Sequence, residues 1–269
     1  MAPRHGLHAF LSGSRVGSVA RKLYVLAIAH KRDALSSPLL ALRFLARDPE
    51  YTSFTYDLAN LDELAAAAAD AAAVEPDRIS LLARELIADE ELSREVTARI
   101  GERRDRRRVP RWGRRALAYA LVRALHPRLV VETGTFDGLM TRALERALER
   151  EGRGRLVTID PDPAAGWLSS GLAERVCARA ADAVPRLFGS GEIDLYIHGS
   201  NRDERGDRDE LEAAGPRLAP RAVVMSDNCH AHHALRDWAA GTGRSVRLLA
   251  ESPRAHFYRG ATLGFARST

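Results

Sequence analysis

Lysine, cysteine and long apolar runs are what this chain of 269 residues has least of. Only Cys177 and Cys229 are present, which excludes a secreted fold held together by a disulfide framework. No apolar stretch approaches the roughly 20 residues that cross a bilayer. The best candidate, Leu23-Tyr-Val-Leu-Ala-Ile-Ala29, is closed at once by His30-Lys31-Arg32-Asp33. It is also at the lower limit of length for the apolar part of a signal peptide. No membrane partner is therefore expected, and the chain is read as cytoplasmic. Lysine occurs only at Lys22 and Lys31 among 41 basic residues, so arginine carries the net charge of +5. An arginine excess beside abundant alanine accompanies a GC-rich coding sequence as readily as a phosphate-binding surface. The one dense run, Arg103-Arg-Asp-Arg-Arg-Arg108, lies in what reads as a linker. No RNA-binding module is recognisable, so nucleic acid is not an expected partner. What the chain does have is apolar material, 45% of its residues, enough at this length for a core that needs no staple.

Two textures divide it. Residues 1–110 are helical in period with nothing strand-like. Asp62 opens an alanine-rich helix from Leu61 to Ala73, and Pro76-Asp77 opens another, Arg78 to Ile87, with Leu81, Leu82, Ala83 and Leu86 spaced for one buried face. Asp89 to Ile100 continues in the same period. No group there has catalytic or metal-ligand spacing, so this region is expected to be a scaffold, a lid or a homodimer surface. From 111 to 269 the period changes. After a helix from Trp112 to Leu125, short β-branched runs alternate with helical stretches: Arg128–Glu132, Arg155–Asp160, Arg175–Arg179, Ile193–Ile197 and Ala222–Ser226. Leu139–Glu151 and Asp207–Leu218 are the clearest crossover helices. Strand and helix in repetition predict an α/β domain, a parallel sheet covered on both faces. Ser245–Ala250 and Thr262–Ala266 have no helix between them and should close the sheet as an antiparallel pair.

Ligands of such sheets bind beyond the carboxyl ends of the strands. The first strand ends in Glu132-Thr133-Gly134-Thr135-Phe136-Asp137-Gly138 and runs straight into a helix. The two glycines allow a tight turn and close approach of a ligand, and the carboxylate can accept from a ligand's amino or hydroxyl groups. The spacing E-x-G-x-x-x-G is not the G-x-G-x-x-G that seats a pyrophosphate, which counts against NAD or FAD. The second strand ends in Asp160, placed for a ribose diol.

In this order, Glu132-Thr-Gly-Thr-Phe-Asp-Gly138, Arg155-Leu-Val-Thr-Ile-Asp160, Ile193-Asp-Leu-Tyr-Ile197 and Ser226-Asp-Asn228 resemble the class I S-adenosylmethionine-dependent methyltransferases. The nearest subgroup is the small-molecule O-methyltransferases similar to catechol O-methyltransferase and the macrolide-sugar enzymes. The resemblance covers Trp112 to the C-terminus, and Phe54 to Leu64 resembles the lead-in of bacterial relatives. It implies a Rossmann-like seven-stranded sheet of order 3-2-1-4-5-7-6 with the last strand antiparallel, and S-adenosyl-L-methionine as cofactor. Glu132, Gly134, Thr135, Phe136 and Gly138 would hold the methionine end, and Asp160 the ribose. Asp182 matches, loosely, a position that faces the adenine. The implied activity is methylation of a hydroxyl on a small-molecule acceptor. An RNA methyltransferase and a non-catalytic cofactor binder on the same fold are the alternatives.

The metal-dependent members hold a divalent cation, Mg²⁺, with an Asp after the fourth strand and an acidic pair after the fifth. The second half is present as Asp227-Asn228, the metal candidates. The first half reads His198-Gly199-Ser200-Asn201-Arg202, with Gly199 at the ligand position and Arg202 near the usual base. Glycine cannot coordinate a cation and arginine cannot serve as a base, so the Mg²⁺ site is left open. His198, His230 and His233 are the catalytic candidates, since an imidazole suits proton abstraction near neutral pH. With His232 and Asp227 they also offer a transition-metal set. The competing expectation is that Asp227 or Asn228 caps a helix from His230 to Ala240. His256-Phe-Tyr258, in the last loop, either overhangs the acceptor or packs.

Overall fold

The computed structural model describes residues 26, 31–47, 55–104, 110–199 and 203–268. The apolar run 23–29 lies outside these except for Leu26, as do Phe54, Ser200, Asn201, Arg202 and the second half of the basic run.

Seven strands form one sheet in the order β3-β2-β1-β4-β5-β7-β6. They are β1 (Leu129–Thr133), β2 (Arg155–Ile159), β3 (Glu174–Val176), β4 (Ile193–His198), β5 (Leu218–Ser226), β6 (Arg244–Ala250) and β7 (Thr262–Ser268). The first five run parallel, and β7 alone runs against its neighbours β5 and β6. This is the expected sheet, hairpin included.

Both faces are covered because the strands alternate between two apolar layers. Val130, Leu156, Leu195, Val223 and Met225 face one layer, built with α3 (Leu61–Ala72), α4 (Pro76–Ile87), α5 (Glu90–Arg104), α6 (Arg114–Leu125) and α7 (Leu139–Glu151). Val131, Val157, Ile159, Tyr196 and Val224 face the other, with α8 (Ala180–Leu187), α9 (Glu204–Ala214) and α10 (Ala234–Gly241). In α3 the buried side is Leu64, Ala65, Ala67, Ala68, Ala69 and Ala71, small side chains that let neighbouring helices approach closely. Two shorter helices, α1 (Lys31–Ser36) and α2 (Pro38–Arg47), precede it. The first layer is continuous from α3 through α6 and α7 onto the sheet.

Two local expectations are corrected. The last crossover helix begins at Ala234, not His230: Asn228 takes a left-handed φ of 57°, so the chain turns before it can wind, and neither Asp227 nor Asn228 caps it. The basic run is not wholly a linker, since α5 extends to Arg104. One bridge forms in the N-terminal region, Leu58 to Pro253, because Ala59 N donates to Ser252 O at 2.7 Å and Arg254 N to Asp57 O at 2.7 Å. Among the described residues no helix is long and apolar enough to cross a membrane.

Candidate active site

The turn after β1 is built by backbone that only a few residues tolerate. Gly134, Phe136 and Gly138 all have positive φ, at 79°, 50° and 86°. A side chain at Phe136 in this region costs about 1–2 kcal/mol, and it stands 55% exposed. Such strain persists where surrounding bonds fix it. Gly134 N donates to Ile159 O at 2.9 Å, and Phe136 N to Asp160 Oδ2 at 3.0 Å. Asp160 Oδ1 accepts from Asp162 N at 2.9 Å. The end of β2 thus holds the glycine turn, and Asp160 orients both. Thr135 closes the set through its hydroxyl contact with Thr158.

Glu132 lies beneath the turn, 1% exposed. Its Oε2 accepts from Thr141 Oγ1 at 2.6 Å and Thr158 Oγ1 at 2.7 Å. Its Oε1 is buried with no hydrogen-bond partner. Burial pushes this carboxyl up to about 8, against the pull of the two threonines. An orphaned acceptor on a buried acid is costly to leave unmet, and a cationic ligand group would complete it. The residues therefore fit a cofactor with a cationic amino-acid end and a ribose.

The structure adds partners that the sequence did not reveal. Residues 161–173, between β2 and β3, form no helix and lie against the turn. Gly166 N donates to Phe136 O at 2.8 Å and Leu168 N to Asp137 O at 2.9 Å. The fully buried Glu145 accepts from Ser169 Oγ, Ser170 N and Ala173 N at 2.6, 2.7 and 3.0 Å, and Arg99 donates to Leu168 O at 2.9 Å. A Cβ on Gly138 would stand 2.9 Å from Gly166 Cα. Gly138→Ala should therefore cost about 2 kcal/mol or more, from positive φ and a backbone clash. A fall in thermal midpoint together with weaker cofactor binding checks it, and an unchanged midpoint would show that the turn relaxes freely.

Asp182 is in the first turn of α8 and exposed; among the described residues no hydrogen bond joins its carboxylate to Asp160 or the turn. The histidines are not gathered around one ligand position. His198 is 2% exposed; its Nδ1 meets Ser226 Oγ at 2.9 Å, and its Nε2 lies 3.4 Å from Glu210 Oε2 and 3.7 Å from Asp207 Oδ1. Burial opposes its charge, but Glu210 and Asp207 outweigh that and raise its pKa. Asp207 is itself pushed up to about 7 by burial, and its other oxygen meets His232 Nε2 at 3.0 Å. His198 thus belongs to an internal acid–imidazole cluster and is turned away from general-base duty. His230 is exposed and accepts from Thr262 N at 3.2 Å; His233 is exposed at the start of α10. The aromatic loop packs: Phe257 and Tyr258 are buried, against Phe44 and Tyr56.

The metal expectation fails on geometry. Gly199 does lie beside Asp227, as a Cβ there would come 3.7 Å from Asp227 Oδ1. But Asp227 Oδ2 accepts from Arg114 Nη1 at 2.8 Å and its Oδ1 from Asn228 Nδ2 at 2.7 Å. Both oxygens of the candidate ligand are engaged by this chain's own donors. Among the described residues no group of three or more His, Cys, Asp or Glu is arranged to hold a metal ion. Asp227 and Asn228 do not fit a Mg²⁺ site.

A seven-stranded α/β sheet with a glycine turn after β1, a buried acid beneath it and an Asp after β2 makes a Rossmann-like domain. Residues 131–229 match a family model described as a methyltransferase domain. No curated protein sequence matches it. Solved structures of similar fold include an O-methyltransferase from Bacillus cereus with S-adenosylhomocysteine, at 17% identity and a TM-score of 0.51, covering 71% of this chain and 96% of that one. The O-methyltransferase TomG from Streptomyces achromogenes, involved in tomaymycin synthesis and bound to S-adenosylmethionine, is 22% identical with a TM-score of 0.50, covering 67% and 90%. The methyltransferase PaMTH1 of Podospora anserina, with S-adenosylhomocysteine, is 16% identical with a TM-score of 0.50, covering 72% and 94%.

Proposed function

We propose that this protein transfers a methyl group from S-adenosylmethionine to a hydroxyl of a small molecule. The observation that carries the reading is the joint between the two strand ends, where Asp160 accepts from the glycine turn above the unsatisfied Oε1 of Glu132. Glu132 would hold the cationic amino-acid end of the cofactor, the turn from Gly134 to Gly138 its backbone approach, and Asp160 the ribose hydroxyls through its remaining lone pairs. The cofactor, when bound, supplies a methyl group already activated on a sulfonium. What is left to the protein is alignment and exclusion of water. The proton of the acceptor falls to one of the exposed imidazoles after β5, His230 or His233, since His198 is committed elsewhere.

Calorimetric titration with S-adenosylmethionine tests this. Binding is expected in the micromolar range, and Asp160→Ala should weaken it about 10- to 100-fold, since bonds to a charged acceptor contribute about 1.5–3 kcal/mol. Absence of binding in the wild-type protein would overturn the reading. The engagement of Asp227 by Arg114 also favours a second reading, a cofactor binder without turnover. Consumption of the methyl group over a broad panel of hydroxyl acceptors separates the two.

A further inference from the structure

The structure assigns Arg114 as the resident cation at the acceptor end of this site, in the place a divalent metal would take. The inference rests on the reading of the site as a methyltransferase centre. Arg114 is the first residue of α6, directly after Gly113 at the N-cap. A cation in the first turn opposes the helix dipole, and no acidic residue in that turn offsets it. The offset comes from three distant segments. Besides Asp227 at the end of β5, Arg114 Nη2 donates to Tyr56 Oη at 3.0 Å, and Arg114 Nε lies 3.4 Å from Glu251 Oε1. Tyr56 in turn donates to Glu251 Oε2 at 2.9 Å, which also accepts from Ala261 N at 2.9 Å.

One guanidinium thus ties the segment before α3, the start of α6, the end of β5 and the base of the β6–β7 hairpin. Its side chain is 13% exposed and that of Glu251 fully buried. The aromatic loop that follows Glu251 is packed on Tyr56. A divalent ion at Asp227 would stand a few ångströms from a fixed positive charge. It would also find Gly199 where a second carboxylate is needed. Occupation by Arg114 and the loss at Gly199 are two independent obstacles, and both must be removed before the site accepts a metal. Arg114 acts as a positioning residue: it fixes Asp227 and the base of the hairpin, and it leaves the site independent of added cations.

Manganese binding read by electron paramagnetic resonance tests this on the full chain without any acceptor. The signal of free Mn²⁺ should be undiminished by the wild-type protein. Gly199→Asp alone should still leave the metal free, because Arg114 remains; a Cβ at Gly199 meets nothing closer than 3.6 Å, so this variant should fold. Combined with Arg114→Gln it should bind Mn²⁺ at least roughly tenfold more tightly than the wild type, through carboxylates left uncompensated. Wild-type binding lost in Asp227→Asn, or strong binding by Gly199→Asp alone, would overturn the assignment. Titration of the same wild-type sample with S-adenosylmethionine, with and without EDTA, keeps the two questions apart: an EDTA effect counts against Arg114, whereas absence of cofactor binding counts against the methyltransferase reading only.

Discussion

Binding of S-adenosylmethionine at pH 7 is expected to release close to one proton from the protein, and Glu132→Gln is expected to abolish that release. With its pKa raised by burial to about 8, the Glu132 carboxyl is roughly nine-tenths protonated at pH 7. A cationic amino group brought to Oε1 favours the ionised form, so the proton leaves as the ligand arrives. The binding enthalpy should then vary with the ionisation heat of the buffer, by nearly one proton's worth in the wild type and not at all in Glu132→Gln. The variant should keep the contacts from Thr141 and Thr158 while binding about 10- to 100-fold more weakly, a charged hydrogen bond being lost. Stability of the unliganded protein moves the other way. A carboxyl whose folded pKa lies above its unfolded value of 4.5 binds more protons folded than unfolded between the two values. It therefore subtracts stability progressively as pH rises from about 4.5 to 8. Glu132→Gln should match the wild type near pH 4 and exceed it in thermal midpoint at pH 8. Equal buffer dependence in both proteins would remove Glu132 from the cofactor's amino end.

The sheet and the glycine turn after β1 were legible because their signals are local. β1, β2 and β4 are built around runs of largely apolar residues, and the two glycines and two carboxylates sit at or just past strand ends, where sequence distance and spatial distance nearly coincide. The order β3-β2-β1-β4-β5-β7-β6 followed from the family resemblance, and the missing helix before β7 had already marked the hairpin. The cluster around Arg114 was not legible, because its groups come from positions 56, 114, 227 and 251, far apart in the chain. One signal was available, Arg114 in a first helical turn with no acid beside it, but its meaning depends on carboxylates from other elements. His198 misled for the same reason: at a strand end it resembles a base, yet two carboxylates on α9 enclose it. The start of α10 was misjudged because a left-handed Asn228 is not visible in residue type alone.

Arginine abundance, ambiguous as composition, acquires a meaning from placement, and one substitution exposes it. Arg142, Arg146 and Arg150 recur every fourth residue along α7 and meet acids of α5 and of the turn between α4 and α5. Arg142 holds Glu95 with two bonds, at 3.1 and 2.8 Å, and Glu149 at 3.1 Å. Arg146 meets Asp89 at 2.8 Å and Glu91 at 2.7 Å, and Arg150 meets Asp89 at 2.7 Å. This seam joins the helical N-terminal region to the sheet domain. Arg142 is its most buried arginine, 4% exposed, and lies 4.0 Å from the buried Glu145 that secures the loop over the glycine turn. Arg142→Met keeps volume and removes charge. It should cost about 3 kcal/mol, because the buried guanidinium is the cation shared by Glu95, Glu149 and the fully buried Glu145, and its removal leaves them uncompensated, and lower the thermal midpoint by roughly 6–12 °C. The Arg142 bonds hold the Glu95 carboxyl below its usual range. That contribution is present above an unfolded value of about 4.5 and is lost as pH falls through the lower folded value. The gap between wild type and variant should therefore be full at pH 7 and narrow below about pH 4.5. Arg128→Met is the control, since its side chain is 83% exposed and 3.7 Å from Asp194, a geometry worth about 0–1 kcal/mol. Equal midpoints for the two variants would mean that the seam holds nothing, and the arginines would again need an external partner to explain them.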